Sequence, residues 1–171
     1  MFQENQEVTR VVQEMASLAC RELFEAYGVG LKPTVSSPHD LAEVLYCGVM
    51  GFVGQGVRGS CLLAASQAPL EASRPAEGPV RDWIGELTNQ LVGRMKAKLL
   101  LRGAGVVMTT PIVLRGEHLA PLPRKNMPPI AFAAQSGLVL LWVELEVDDD
   151  FVLKAESEHP ESVVVTEPLF F

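Results

Sequence analysis

The longest stretch with a helical period of apolar positions runs from Gly78 to Gly103, GPVRDWIGELTNQLVGRMKAKLLLRG. Val80, Ile84, Leu87, Leu91, Met95 and Leu99 recur at the three-and-four spacing of a helix that buries one stripe. Pro79 sits near the first turn, where its missing N–H costs nothing. Arg94, Lys96, Lys98 and Arg102 crowd the last turns, favourably placed against the helix dipole, and Gly103 is a stop signal. A second helix is predicted over residues 5–27, with Val8, Val11, Val12, Met15, Leu18, Ala19 and Leu23 on its buried side, ended by Gly28-Val29-Gly30.

Elsewhere the period is that of strands. Lys32–Pro38 reads as an edge strand or a loop, because its two prolines cannot donate to a ladder. Leu41–Val53 and Gly59–Ser66 read as two apolar strands joined by a glycine turn. Gln67–Pro75 is a connecting segment with room for one helical turn. Three further strands are expected at Gly105–Leu114, Ile130–Ala134 and Leu138–Val147, the last with a clean alternation in WVELEV. Sequential strands joined by short turns imply an antiparallel sheet. The expected class is α+β, an antiparallel sheet of about five to six strands with two long helices packed on it.

Composition narrows the picture. With 171 residues, 48% of them hydrophobic and 20% charged, the chain reads as one domain over 1–171 with ample core, the core lying at about 8–147. The formal charge of −7 is unevenly spread. Residues 148–171 form an acidic C-terminal extension with seven acids and one lysine, which leaves the body close to neutral. A body with no basic stripe argues against nucleic-acid binding. The opening MFQENQEV carries acids and no apolar run, so no signal peptide is expected, and no window is long and apolar enough for a membrane span. Cys20, Cys47 and Cys61 are an odd number with no C-x-x-C spacing, which fits free thiols in a reducing cytoplasm.

Candidate chemistry concentrates on the long helix. At about 100° per residue, Asp82, Glu86, Asn89 and Gly93 line up opposite the apolar stripe. Polar residues there are what any surface helix shows, but two details go further. Asn89 is a poor helix former in mid-helix. Gly85 and Gly93 each cost roughly 1 kcal/mol against alanine in a helix interior, so a glycine on the polar face implies a steric reason.

Other chemistries find little support. Gly54-x-Gly56-x-x-Gly59 has the dinucleotide-fingerprint spacing, but that motif needs a helix directly after the glycines, and SCLLAAS reads as a strand. His39, His118 and His159 stand far apart, so no metal site is expected. No G-x-S-x-G elbow appears. Asp148–Asp150 reads as a solvated turn, since the glycine and terminal glutamate of a calcium loop are missing. The proline-rich Pro121–Pro129 loop, with Arg124 and Lys125, reads as exposed. The ending VVVTEPLFF reads as a docked strand or a partner-binding peptide, the former preferred because an exposed Phe170-Phe171 pair is costly in solubility.

The motif Asp82-x-x-x-Glu86-x-x-Asn89-x-x-x-Gly93 resembles the signature helix of the CheC/CheX/FliY chemotaxis phosphatases. Three further stretches are similar in the same order: MASLACRELFEAYGV (Met15–Val29) to the family's first helix, MGFVGQGVRGSCLLAAS (Met50–Ser66) to its Gly-rich hairpin, and MTTPIVLRGEHL (Met108–Leu119) to the strand after the signature helix. One copy of the motif points to the CheX-like branch. The resemblance implies a phosphatase that hydrolyses the aspartyl phosphate of a CheY-type response regulator. Asn89 would orient the attacking water, and Glu86 would pair with the regulator's lysine. Gly93 would let the partner approach, and Asp82 would be a weaker partner contact or only a helix-start charge. It implies no cofactor of its own, Mg²⁺ being supplied by the partner, and a homodimer. The alternatives are a non-catalytic binding module for phosphorylated receivers and a structural subunit of a signalling assembly. The extension after Val147 has no counterpart in the resemblance.

Overall fold

The computed structural model describes residues 2–3, 5–36, 43–75, 77–117, 128–135 and 137–155. The three histidines, residues 121–127 of the proline-rich loop and the VVVTEPLFF ending lie outside the described residues. In chain order the elements are β1 (Phe2–Gln3), α1 (Gln6–Ala26), β2 (Lys32–Thr34), β3 (Leu45–Gly54), β4 (Val57–Ser66), α2 (Gln67–Ser73), α3 (Val80–Leu101), β5 (Val106–Met108), β6 (Ile112–Gly116), β7 (Ile130–Ala134) and β8 (Gly137–Asp148).

Both long helices form where the apolar periodicity places them. Asn5 caps α1, its side-chain oxygen accepting from the backbone N–H of Glu7 and Val8. Each helix ends on a glycine with positive φ, Gly28 at +78° and Gly103 at +79°. At these ends Val29 N–H reaches the Phe24 carbonyl and Ala104 N–H the Leu99 carbonyl, both at 2.9 Å, which satisfies carbonyls that the helix leaves open. The buried arc of α1 is shifted from the expected one. Ala16, Cys20 and Phe24 are inside, whereas Leu18 is 46% exposed and Val11 only half-buried, because these two lie at the margin of the arc.

The strands form one antiparallel sheet in the order β2-β7-β8-β4-β3-β5, with β1 pairing β8 and β6 pairing β3. Among the described residues β2, which holds Pro33, lies at the sheet edge and pairs with β7 alone. The hairpin β3–β4 turns through two residues, Gln55 and Gly56, the glycine at φ +71°. The chain beyond Gly59 continues as strand, so the glycine triplet builds a hairpin, not a phosphate cradle.

The strand expected over Gly105–Leu114 is instead two. β5 and β6 both pair β3, yet Thr109, Thr110 and Pro111 stand opposite only Met50 and Gly51. Pro111 has no N–H for the ladder, and the extra residue is absorbed as a bulge. Thr109 fastens it: its backbone N–H donates to the Gly51 carbonyl, and its hydroxyl accepts from Gly51 N–H, both at 2.9 Å.

Alternation along the strands divides the sheet into two faces. Met50 and Phe52 of β3, Cys61 and Leu63 of β4, and Val139, Leu141, Val143 and Leu145 of β8 join the buried stripes of α1 and α3 in the main core. Leu45, Cys47, Ala64, Ala131, Leu140 and Trp142 form a smaller cluster on the opposite face. All three cysteines are free and buried. Beyond β8, Phe151 and Leu153 pack against the main core, and Lys154 N–H donates to the Arg102 carbonyl at the end of α3.

Candidate active site

The polar face of α3 is positioned by what lies beneath it. Ile84, Leu87, Leu91, Met95 and Leu99 are buried as expected, and Trp83, Thr88 and Val92 join them. The sequence pattern does not reveal the contact that sets the depth of the helix. Thr88 sits directly over Gly48 of β3: a Cβ at position 48 would lie 2.0 Å from Thr88 Oγ1 and 2.8 Å from its Cβ. The Thr88 hydroxyl donates to the Ile84 carbonyl at 2.7 Å, so it is satisfied within its own helix. Helix α3 therefore rests closely on the sheet at the turn that carries Glu86 and Asn89. Gly85 serves the neighbouring strand, since a Cβ there would stand 3.1 Å from Val113 of β6.

Glu86 and Asn89 are both exposed on the outer side of this turn, separated by about 4.5 Å of helical rise. Asp82, one turn earlier, is exposed in the first turn, and its carboxylate accepts from Arg81 Nε at 3.1 Å. That location favours a carboxylate through the helix dipole. Gly93 is half-buried, and a Cβ there would meet nothing within 4 Å. No steric demand within the described residues accounts for that glycine. The four residues singled out in the sequence thus share one accessible helix face.

Sequence reasoning missed the supports of Glu86. Gln90 Nε2 donates to Glu86 Oε1 at 2.7 Å, and the Tyr27 hydroxyl, at the end of α1, donates to Gln90 Oε1 at 3.0 Å. The Glu86-x-x-x-Gln90 spacing is the only sequence signal for this, and nothing local ties Tyr27 to it. On the other flank, a concavity of about 530 Å³ between the first turn of α3 and β6 is lined by Tyr46, Val80, Arg81, Asp82, Val113 and Arg115. The Arg115 guanidinium lies 5.4 Å from the centre of the Tyr46 ring. The buried thiols take no part: burial pushes Cys61 up to about 12 and Cys47 to about 11 and also raises Cys20, so none is a thiolate nucleophile near neutrality. Among the described residues no group of three or more His, Cys, Asp or Glu could hold a metal ion, and no helix is long and apolar enough to cross a membrane.

The family model for Chemotaxis phosphatase CheX matches residues 46–135, more than half of the chain. The chain belongs to the CheX family. The matched region holds the β3–β4 hairpin, α2, all of α3 and the strands up to β7, so both Glu86 and Asn89 fall within it. A search of curated proteins finds no match. Among solved structures, the chemotaxis protein CheX of Vibrio vulnificus superposes with a TM-score of 0.64 at 22% identity, covering 77% of this chain and 94% of that one. A CheC-like protein of Shewanella sp. PV-4 gives 0.65 at 21% identity, covering 78% and 96%. CheX of Borrelia burgdorferi, solved as a CheX–CheY–BeF3–Mg²⁺ complex, gives 0.56 at 15% identity, covering 80% and 96%. At these identities the likenesses establish the CheX fold.

Proposed function

We propose that the chain is a phosphatase for the aspartyl phosphate of a CheY-type response regulator. The observation that carries this reading is the open Glu86-x-x-Asn89 pair on α3 in a chain of the CheX family. The Borrelia burgdorferi structure, in which a CheX is complexed with CheY and Mg²⁺, supports the choice of partner and a metal that arrives with it.

The chemistry asked of this chain is small. An aspartyl phosphate already sits beside its own Mg²⁺, so what remains is to place a water in line with the phosphorus as the bond to the aspartate oxygen breaks. The Asn89 amide offers a donor and an acceptor, which orients a water without taking its proton. Glu86, one turn earlier, offers a carboxylate that suits a charge-assisted hydrogen bond to a lysine of the partner, fixing the register of the two surfaces. The open space at Gly93 admits a partner loop. Asp82, already engaged with Arg81, serves as a helix-start charge or a peripheral contact. The homodimer implied by the resemblance belongs to the same reading. The exposed Ile112, Val113 and Leu114 of β6 favour it, and light scattering that returns a monomeric mass would refute it.

The test is phosphate release from a phosphorylated CheY-type receiver. Asn89→Ala should abolish acceleration while binding persists, and Glu86→Ala should weaken both. Binding without any acceleration by the wild type would instead favour a docking module.

A further inference from the structure

Glu86 is exposed, and an exposed glutamate samples many carboxylate positions unless something holds it. Here a continuous series of contacts runs from buried structure to that carboxylate. Trp83 is buried, and its indole N–H donates to Ser73 Oγ at 2.9 Å; the Ser73 hydroxyl in turn donates to the Leu70 carbonyl of α2 at 3.2 Å. Tyr27 stands edge-on to Trp83, ring centroids 4.9 Å apart. Its hydroxyl donates to Gln90 Oε1, and Gln90 Nε2 donates to Glu86 Oε1. The Tyr27 hydroxyl proton orients the Gln90 amide, because only its oxygen can accept; that leaves the NH₂ group for the carboxylate. One oxygen of Glu86 is thereby occupied, and the other remains available to a cation.

We propose that Tyr27 and Gln90 are positioning residues for Glu86, holding its carboxylate ready for the partner's lysine; this rests on the phosphatase reading above. Preorganisation of this kind lowers the ordering cost of association, so its loss falls on KM and not on the chemical step. Tyr27→Phe is the sharpest probe, since it keeps the ring against Trp83 and deletes only the hydroxyl.

The experiment measures steady-state hydrolysis of a CheY-type receiver from the same organism, phosphorylated with acetyl phosphate, by wild type, Tyr27→Phe, Gln90→Ala, Asn89→Ala and Glu86→Ala. The two positioning variants are also made in the Glu86→Ala background. Expected is a KM raised about three- to tenfold by Tyr27→Phe, the range of one lost hydrogen bond, with kcat within about twofold. In the Glu86→Ala background the same change should have no further effect. An unchanged KM in Tyr27→Phe, or an equal rise with and without Glu86, would reduce the pair to a clasp between α1 and α3. That outcome, with Asn89→Ala still inactive, overturns the positioning role and leaves the phosphatase reading standing. No acceleration by the wild type overturns the phosphatase reading and the positioning role with it.

Discussion

Asn89 and Gly93 are residues that a helix does not select for its own sake. Asn costs about 0.5–0.7 kcal/mol and Gly about 1 kcal/mol against alanine in a helix interior. Neither cost is offset by a contact among the described residues that requires that residue type. Asn89→Ala is therefore expected to hold or slightly raise the thermal midpoint while it removes turnover. Gly93→Ala should stabilise by about 1 kcal/mol in chemical denaturation, because its Cβ enters open space. Gly93→Leu should leave the unfolding free energy within about 1 kcal/mol of wild type but weaken partner binding; unchanged binding would remove the proposed steric reason for the glycine. The cysteines give a prediction of another kind. Cys61 and Cys47 are raised by burial from 9.0 to about 12 and about 11, so below pH 9 both are thiols whether folded or unfolded. Above 9 the unfolded chain loses protons that the folded chain keeps, and stability should fall as pH rises through 9 to 12. Urea melts at pH 8 and pH 10.5 check this, as does slow thiol labelling of the native chain at pH 8 that becomes fast on unfolding.

At the scale of elements, the seating of α3 on β3 decides whether Glu86 and Asn89 are presented at all. Gly48→Ala places a Cβ against Thr88 in a packed core, and it should cost about 1–3 kcal/mol in chemical denaturation as the helix is pushed outward. Phosphatase activity should fall with it, since the turn that moves carries the pair. A stability equal to wild type would show that the helix does not depend on this contact. Much at this scale was legible in the residues. The α3 stripe, both glycine stops and the edge strand with Pro33 follow from periodicity and backbone chemistry, and WVELEV alternates as written, its valines and Leu145 in the main core. The polar face of α3 was equally legible, because 100° spacing alone gathers Asp82, Glu86, Asn89 and Gly93. The bulge at Thr109–Pro111 was not: a run of β-branched residues reads as one strand, and the two-against-three mismatch exists only relative to β3. The Tyr27–Gln90 contact was hidden for the same reason, joining residues 63 apart in the chain. Leu18 was misplaced because a marginal position on an amphipathic arc is decided by the neighbouring helix, not by its own spacing.

For the whole molecule, the acidic extension is tied to the body at its start. Phe151 and Leu153 pack on the main core, and residues 151–155 cross near the start of α1 and the end of α3. A chain ending at Asp148 should be less stable than one ending at Ala155 by about 1–3 kcal/mol, from the apolar area uncovered; equal urea midpoints would contradict this packing. Charge asymmetry, visible in the sequence, did not reveal that anchor, because a segment rich in Asp and Glu gives no sign of where two isolated apolar residues will dock. The outer face of α3 is proposed to act on a phosphorylated receiver by placing a water. The most direct test is phosphate release from a phosphorylated CheY-type receiver with wild type and Asn89→Ala side by side, binding measured in parallel. Acceleration by wild type alone, with similar binding by both, is the expected result. Equal acceleration by Asn89→Ala would contradict it.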